Sequence, residues 1–208
     1  MKKLLFLVLT ASVAVIAFGA ISGSAHDFRT LAWNDGGGAS AEICKACHTP
    51  HNAQTLSTAP LWNHTVTTAT FQVYAGYDMD STPANPPTGA SILCLSCHDG
   101  TVALDAFGGN SVSPGTMITG NALVGNDLRN DHPVSIDYTT AVATDTELRA
   151  TTYVTSLGGT IANDLLESGT MVQCSSCHDV HNTVSASNSS LLRISNSGSA
   201  LCLTCHDK

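Results

Sequence analysis

One short pattern, used four times, constrains this chain more than anything else in it: two cysteines three positions apart, with a histidine directly after the second. It occurs as Cys44, Cys47, His48; as Cys94, Cys97, His98; as Cys174, Cys177, His178; and as Cys202, Cys205, His206, which takes up all eight cysteines. C-x-x-C-H is the attachment signature of c-type haem, in which both thiols bond the porphyrin and the adjacent histidine binds the iron from one side. A single copy could equally be a redox dithiol or half of a zinc ribbon. Four copies, each with its histidine, predict four covalently attached haem c groups, because a zinc ribbon needs no histidine at that position.

The start of the chain points to export. Met1, Lys2 and Lys3 precede an apolar run from Leu4 to Ala20 and then the small residues Gly23, Ser24 and Ala25. That order predicts a signal peptide over residues 1–25 and one mature domain over 26–208. Nothing downstream is apolar enough to span a membrane after cleavage. Haem attachment to thiols takes place outside the cytoplasm, so the expected location is extracellular or cell-surface, otherwise periplasmic.

Charge and composition narrow the partners. The mature chain carries six basic residues (Arg29, Lys45, Arg129, Arg149, Arg193, Lys208) against sixteen acidic ones, a formal charge of −10. Such a surface disfavours nucleic acid and anionic membrane, and repels a second copy of itself. Aromatic residues are only 5% of the chain, which is thin for a conventional core. The porphyrins are therefore expected to supply the missing apolar mass. The predicted fold class is a multihaem cytochrome c, mostly irregular coil with short helices and a few short strands wrapped around a haem core.

Along the mature chain, residues 26–42 read as a looped lead-in with Gly36-Gly37-Gly38. Residues 53–75 hold Pro60-Leu61-Trp62-Asn63-His64 and a threonine-rich run whose composition suits a strand. The proline-rich stretch Asp78 to Gly89 is a loop, and its carboxylates Asp78 and Asp80 read as solvated loop residues. Ser91 to Phe107 reads as a short helix closed by Gly108-Gly109. The cysteine-free middle includes Asp131-His132-Pro133-Val134 and a possible hairpin, with Tyr153, Val154 and Leu157 before Gly158-Gly159 and Ile161 after. The motifs themselves repeat in alternation: CKACHTPHN pairs with CSSCHDVHN, and CLSCHD with CLTCHD. This suggests two-haem modules, about 44–99 and 174–207, joined by a haem-motif-free middle.

Each iron bound by one motif histidine has a second axial position, and its occupant separates electron transfer from substrate binding. His48, His98, His178 and His206 are the proximal ligands. Five histidines remain of the nine: His26, His51, His64, His132 and His181 are the distal candidates for four vacancies. His51 and His181 sit too close to their own motif histidines to reach round the same haem, and so are placed to serve a neighbouring one. His132 is a further candidate, leaving His26 or His64 as the surplus histidine. With histidine in supply, bis-histidine ligation closes every iron to substrate, so no catalytic residues and no enzyme activity are expected. The expected function is electron transfer. A discrete periplasmic electron shuttle and, less favoured, a haem enzyme with an open iron site are the alternatives. No phosphate loop or nucleophile elbow competes with this chemistry.

At HDF (26–28), CHTPHN (47–52), PLWNH (60–64), CLSCHDGTVA (94–103), DHPVS (131–135), CHDVHN (177–182) and CLTCHD (202–207), the chain resembles the paired C-x-x-C-H multihaem cytochromes. More narrowly, it is similar to the tetrahaem OmcE type, related to the hexahaem OmcS type, whose members polymerise into extracellular filaments. The resemblance implies a conductive homopolymer, a nanowire, with a head-to-tail interface and a continuous haem chain. It also implies one distal histidine donated by the neighbouring subunit, and the matching position here is His51. Redox partner proteins or extracellular acceptors would complete the circuit.

Overall fold

A computed structural model describes residues 21–34, 42–76, 79–109, 115–184 and 188–208. The apolar run Leu4 to Ala20, the glycines Gly36 to Gly38 and Asp78 lie outside these residues. Most of the described backbone is turn and coil, interrupted by five short α-helices: α1 (Gly89–His98), α2 (Tyr138–Thr144), α3 (Ile161–Asp164), α4 (Cys174–Cys177) and α5 (Ala200–Cys205). One two-stranded antiparallel sheet joins β1 (Ile136–Asp137) to β2 (Met171–Val172), with Ile136 opposite Val172. Among the described residues, no helix is long and apolar enough to cross a membrane.

The motifs explain where the helices fall. Three of the four cysteine pairs lie on short helices, which set both thiols on one side of a single turn. The helix at the second motif is shorter than its sequence suggests. It stops at His98, because Gly100 adopts φ +75° and the Asp99 carboxylate accepts from the N–H of Thr101 instead of letting the helix continue. Residues 99–107 are therefore irregular, not helical. The strand composition of 53–75 likewise yields only isolated pairings, Gln54 with Trp62, His64 with Phe107 and Gln72 with Asp127, since no continuous partner strand lies alongside. The hairpin does form: Val154 pairs with Thr160, and Gly158 turns the chain at φ +98°.

Apolar packing is split into three small clusters. Tyr138, Ile161 and Leu166 pack on Ile136 and Val172 of the sheet; Ala59, Trp62 and Leu93 pack beside the first motif; Phe71 and Leu128 pack on Leu95 of α1. By contrast, several large apolar side chains face solvent close to motif histidines. Leu61, Leu123, Val124, Val180, Val184 and Leu203 are all exposed. An exposed apolar group gains about 25 cal/mol per Å² when covered, so covering these positions would stabilise the protein.

The second and third motifs are tied together by a buried polar knot. Ser91 Oγ on α1 donates to Gln173 Oε1 at 2.5 Å and accepts the backbone N–H of Cys174 at 3.0 Å. Ser135 Oγ also donates to Gln173 Oε1, at 2.9 Å, and the Glu167 carboxylate accepts the N–H of Ala90 at 2.8 Å. Ser91, Ser135 and Gln173 are essentially inaccessible to solvent. Residues some eighty positions apart thereby place α1 against α4, so the second and third motifs interlock.

Candidate haem-binding centre

The first and third motifs are built as two copies of one turn. His48 Nδ1 meets the carbonyl of Pro60 at 2.8 Å, and His178 Nδ1 meets that of Ser190 at 2.8 Å, each twelve residues downstream. Thr49 N–H donates to Leu61 O and Asp179 N–H to Leu191 O; Asn63 N–H donates to Cys47 O and Arg193 N–H to Cys177 O. Leu61 and Leu191 both take positive φ, as do Asn52 and Asn182, the closing residues of the two CHxxHN segments. His98 Nδ1 is held in the same way by Ala122 O at 2.7 Å. A carbonyl at Nδ1 fixes the tautomer and orients the ring, leaving Nε2 as the free ligand atom.

Three motif histidines have a histidine ring facing them. His48 faces His181 with ring centres 6.2 Å apart and planes 18° from parallel; His98 faces His26 at 6.0 Å and 55°; His206 faces His132 at 6.4 Å and 71°. An imidazole nitrogen binds a metal at about 2.0–2.1 Å and lies roughly 1.1 Å from its ring centre, so two rings opposed across one ion have centres roughly 6.3 Å apart. All three separations fit an iron held from both sides. His132 Nδ1 meets Pro133 O at 2.9 Å, which again leaves Nε2 free. Burial, followed by the neighbouring His98, His178 and His181, pushes His26 down to about 4, which keeps it in the neutral form a metal requires.

The other histidines are placed differently. His64 is buried, with Nδ1 2.9 Å from Thr65 O and Nε2 3.0 Å from Ala103 O and 3.5 Å from Cys97 Sγ, and no motif histidine ring faces it. His51 and His178 are exposed, and among the described residues neither has a facing histidine ring.

All eight thiols are unpaired, and no three His, Cys, Asp or Glu groups among the described residues gather into a site for a bare metal ion. Burial pushes Cys47 and Cys177 up to about 11 and Cys97 up to about 12. The thiols of Cys94 and Cys174 face each other as hydrogen-bond partners, an interaction that raises Cys94 and lowers Cys174.

The donor set, the ring spacing and the uncovered apolar side chains all fit haem. Residues 168–208 match the family model of the doubled CXXCH motif. The match supports a multihaem c-type cytochrome. CXXCH motifs indicate covalently bound haem c, and cytochromes of this kind are in general electron-transfer proteins and typically exported. No curated protein matches the chain. Bound haem would supply one-electron chemistry at its iron; the residues above would hold the iron, set the ring orientations and exclude water.

Several of these residues escape sequence reading. The carbonyls of Pro60, Ala122 and Ser190 carry no side-chain signal, although the identical twelve-residue offset in the first and third motifs could have exposed two of them. The Ser91–Gln173 contact has no local signature at all.

Proposed function

We propose that the chain is a tetrahaem, bis-histidine cytochrome that polymerises head to tail and carries electrons along an extracellular filament. The observation that carries this reading is the remainder after pairing. With His26, His132 and His181 opposite His98, His206 and His48, one motif histidine, His178, is left without a partner. His51 is left exposed, and His64 is buried beside Ala103 O and Cys97 Sγ with no motif histidine ring facing it.

The repeat gives the remainder a direction. His181, three residues after the third motif histidine, faces the first; His51 stands three residues after the first. A His51 that reaches the third haem of the next copy repeats the same exchange between chains. An iron–nitrogen bond across the interface would also offset the repulsion between two copies of formal charge −10. His64 is then the surplus histidine.

Replacing His51 with Ala tests the reading. Four haems should remain attached, filaments should disappear, and one haem per chain should become high-spin and open to carbon monoxide. Filaments that survive the substitution refute the bridge. A wild-type protein that stays dispersed, with four low-spin haems, is instead the discrete periplasmic shuttle. An iron that binds substrate in the assembled wild-type protein would support an enzyme.

A further inference from the structure

Besides His26 Nδ1 and Asn34 Oδ1, two buried side-chain atoms that can only donate have no acceptor among the described residues: Nε1 of Trp62 and Nε of Arg193. They occupy adjacent places in the two copies of the repeated turn. Asn63, next to Trp62, donates its N–H to Cys47 O, and Arg193 makes the corresponding bond to Cys177 O. Trp62 is 9% exposed, packs against Cys47 and stands perpendicular to the His48 ring, with centres 6.2 Å apart. Indole N–H and guanidinium are donors only, so neither can be satisfied by rotating itself into an acceptor role. A buried donor without a partner is destabilising, and its occurrence at neighbouring places in the two repeats points to a ligand that brings an acceptor to each.

We propose that Trp62 Nε1–H and the Arg193 guanidinium bind propionate carboxylates of the porphyrins attached at Cys44/Cys47 and Cys174/Cys177, one donor for each repeat. This assignment rests on the reading that those motifs carry haem. A propionate is an acceptor with fixed negative charge, and a guanidinium bonds carboxylate through short charge-assisted bonds. The two donors differ in charge. Arg193 neutralises carboxylate charge at the third haem, whereas Trp62 binds it at the first without neutralising it. The third iron therefore holds an electron more readily because of Arg193, and Trp62 has a smaller effect on the first.

Trp62→Phe keeps the ring and removes the N–H, and Arg193→Gln removes the charge; both are made in the full exported chain. Haem number is read by mass spectrometry, propionate hydrogen bonding by the propionate bending bands in resonance Raman spectra, and potentials by redox titration. Each variant should keep four haems and shift the bending band of one of them. Arg193→Gln should also weaken reduction of one haem about tenfold, about 59 mV for one electron. Unchanged bands in both variants, with four haems present, overturn the assignment while leaving haem binding intact. If Arg193→Gln does not mature, Arg193→Lys takes its place. It should move the band yet preserve the potential, and an unmoved band overturns the assignment. A wild-type mass without covalent haem would instead sink the reading on which the assignment rests.

Discussion

Replacing Ser91 with Ala removes a single oxygen from the knot that seats the second haem motif against the third. The lost groups are specific: the donor to Gln173 Oε1 at 2.5 Å, and the acceptor of the Cys174 N–H at 3.0 Å. Gln173 Oε1 keeps a donor in Ser135 Oγ, but the Cys174 N–H is left without a partner beside a residue that is 0% exposed. An ordinary hydrogen bond contributes about 0.5–1.5 kcal/mol, and an orphaned buried donor costs about 1–3 kcal/mol, so the substitution should destabilise the protein by about 2–4 kcal/mol. Followed by far-ultraviolet circular dichroism in guanidinium chloride, with a slope of about 4 kcal/mol/M, the midpoint should fall by about 0.5–1 M. A fall below about 0.1 M would refute the claim that this hydroxyl joins the motifs.

Other substitutions and spectra test the site from different sides. Gly89, at φ +56°, has no room for a side chain: a Cβ would lie 2.7 Å from Gln173 Nε2 and nearer still to Glu167 Oε1. Gly89→Ala should therefore cost more than about 1 kcal/mol in the same unfolding assay, and an unchanged midpoint would show that the knot yields. His132→Ala should turn one haem high-spin, and an unchanged visible spectrum would remove His132 from the ligands. The facing rings lie at 18°, 55° and 71°. Electron paramagnetic resonance should then show one rhombic low-spin signal from the near-parallel pair, and strongly anisotropic signals from the more crossed pairs. Rhombic signals alone would contradict the ring orientations.

What could be read in the sequence was local, and what could not was distant. The C-x-x-C-H motifs declare their chemistry within five residues, and the CHxxHN repeat shows its likeness within nine; the structure gives both copies the same hydrogen bonds. The hairpin at Val154 to Thr160 was legible because a pair of glycines interrupts its strand residues. The end of α1 was not: the apolar residues after His98 continue a helical composition, while Gly100 and the Asp99 side chain stop the helix. The strand-like residues of 53–75 were misleading for a related reason, since threonine and aromatic residues fit an extended backbone whether or not a partner strand exists. His26 and His64 look alike in the sequence. Both are single histidines in ordinary surroundings, and only the fold brings Ala103 O to one and His98 to the other.

The most direct test of the account is electron microscopy of the protein sheared from cell surfaces and kept at native salt, taken to a resolution that separates haems. Regular filaments with four haems per subunit are expected, with density joining His51 of one copy to the haem carried by His178 in the next. Dispersed single particles with all four irons ligated within one chain would contradict it.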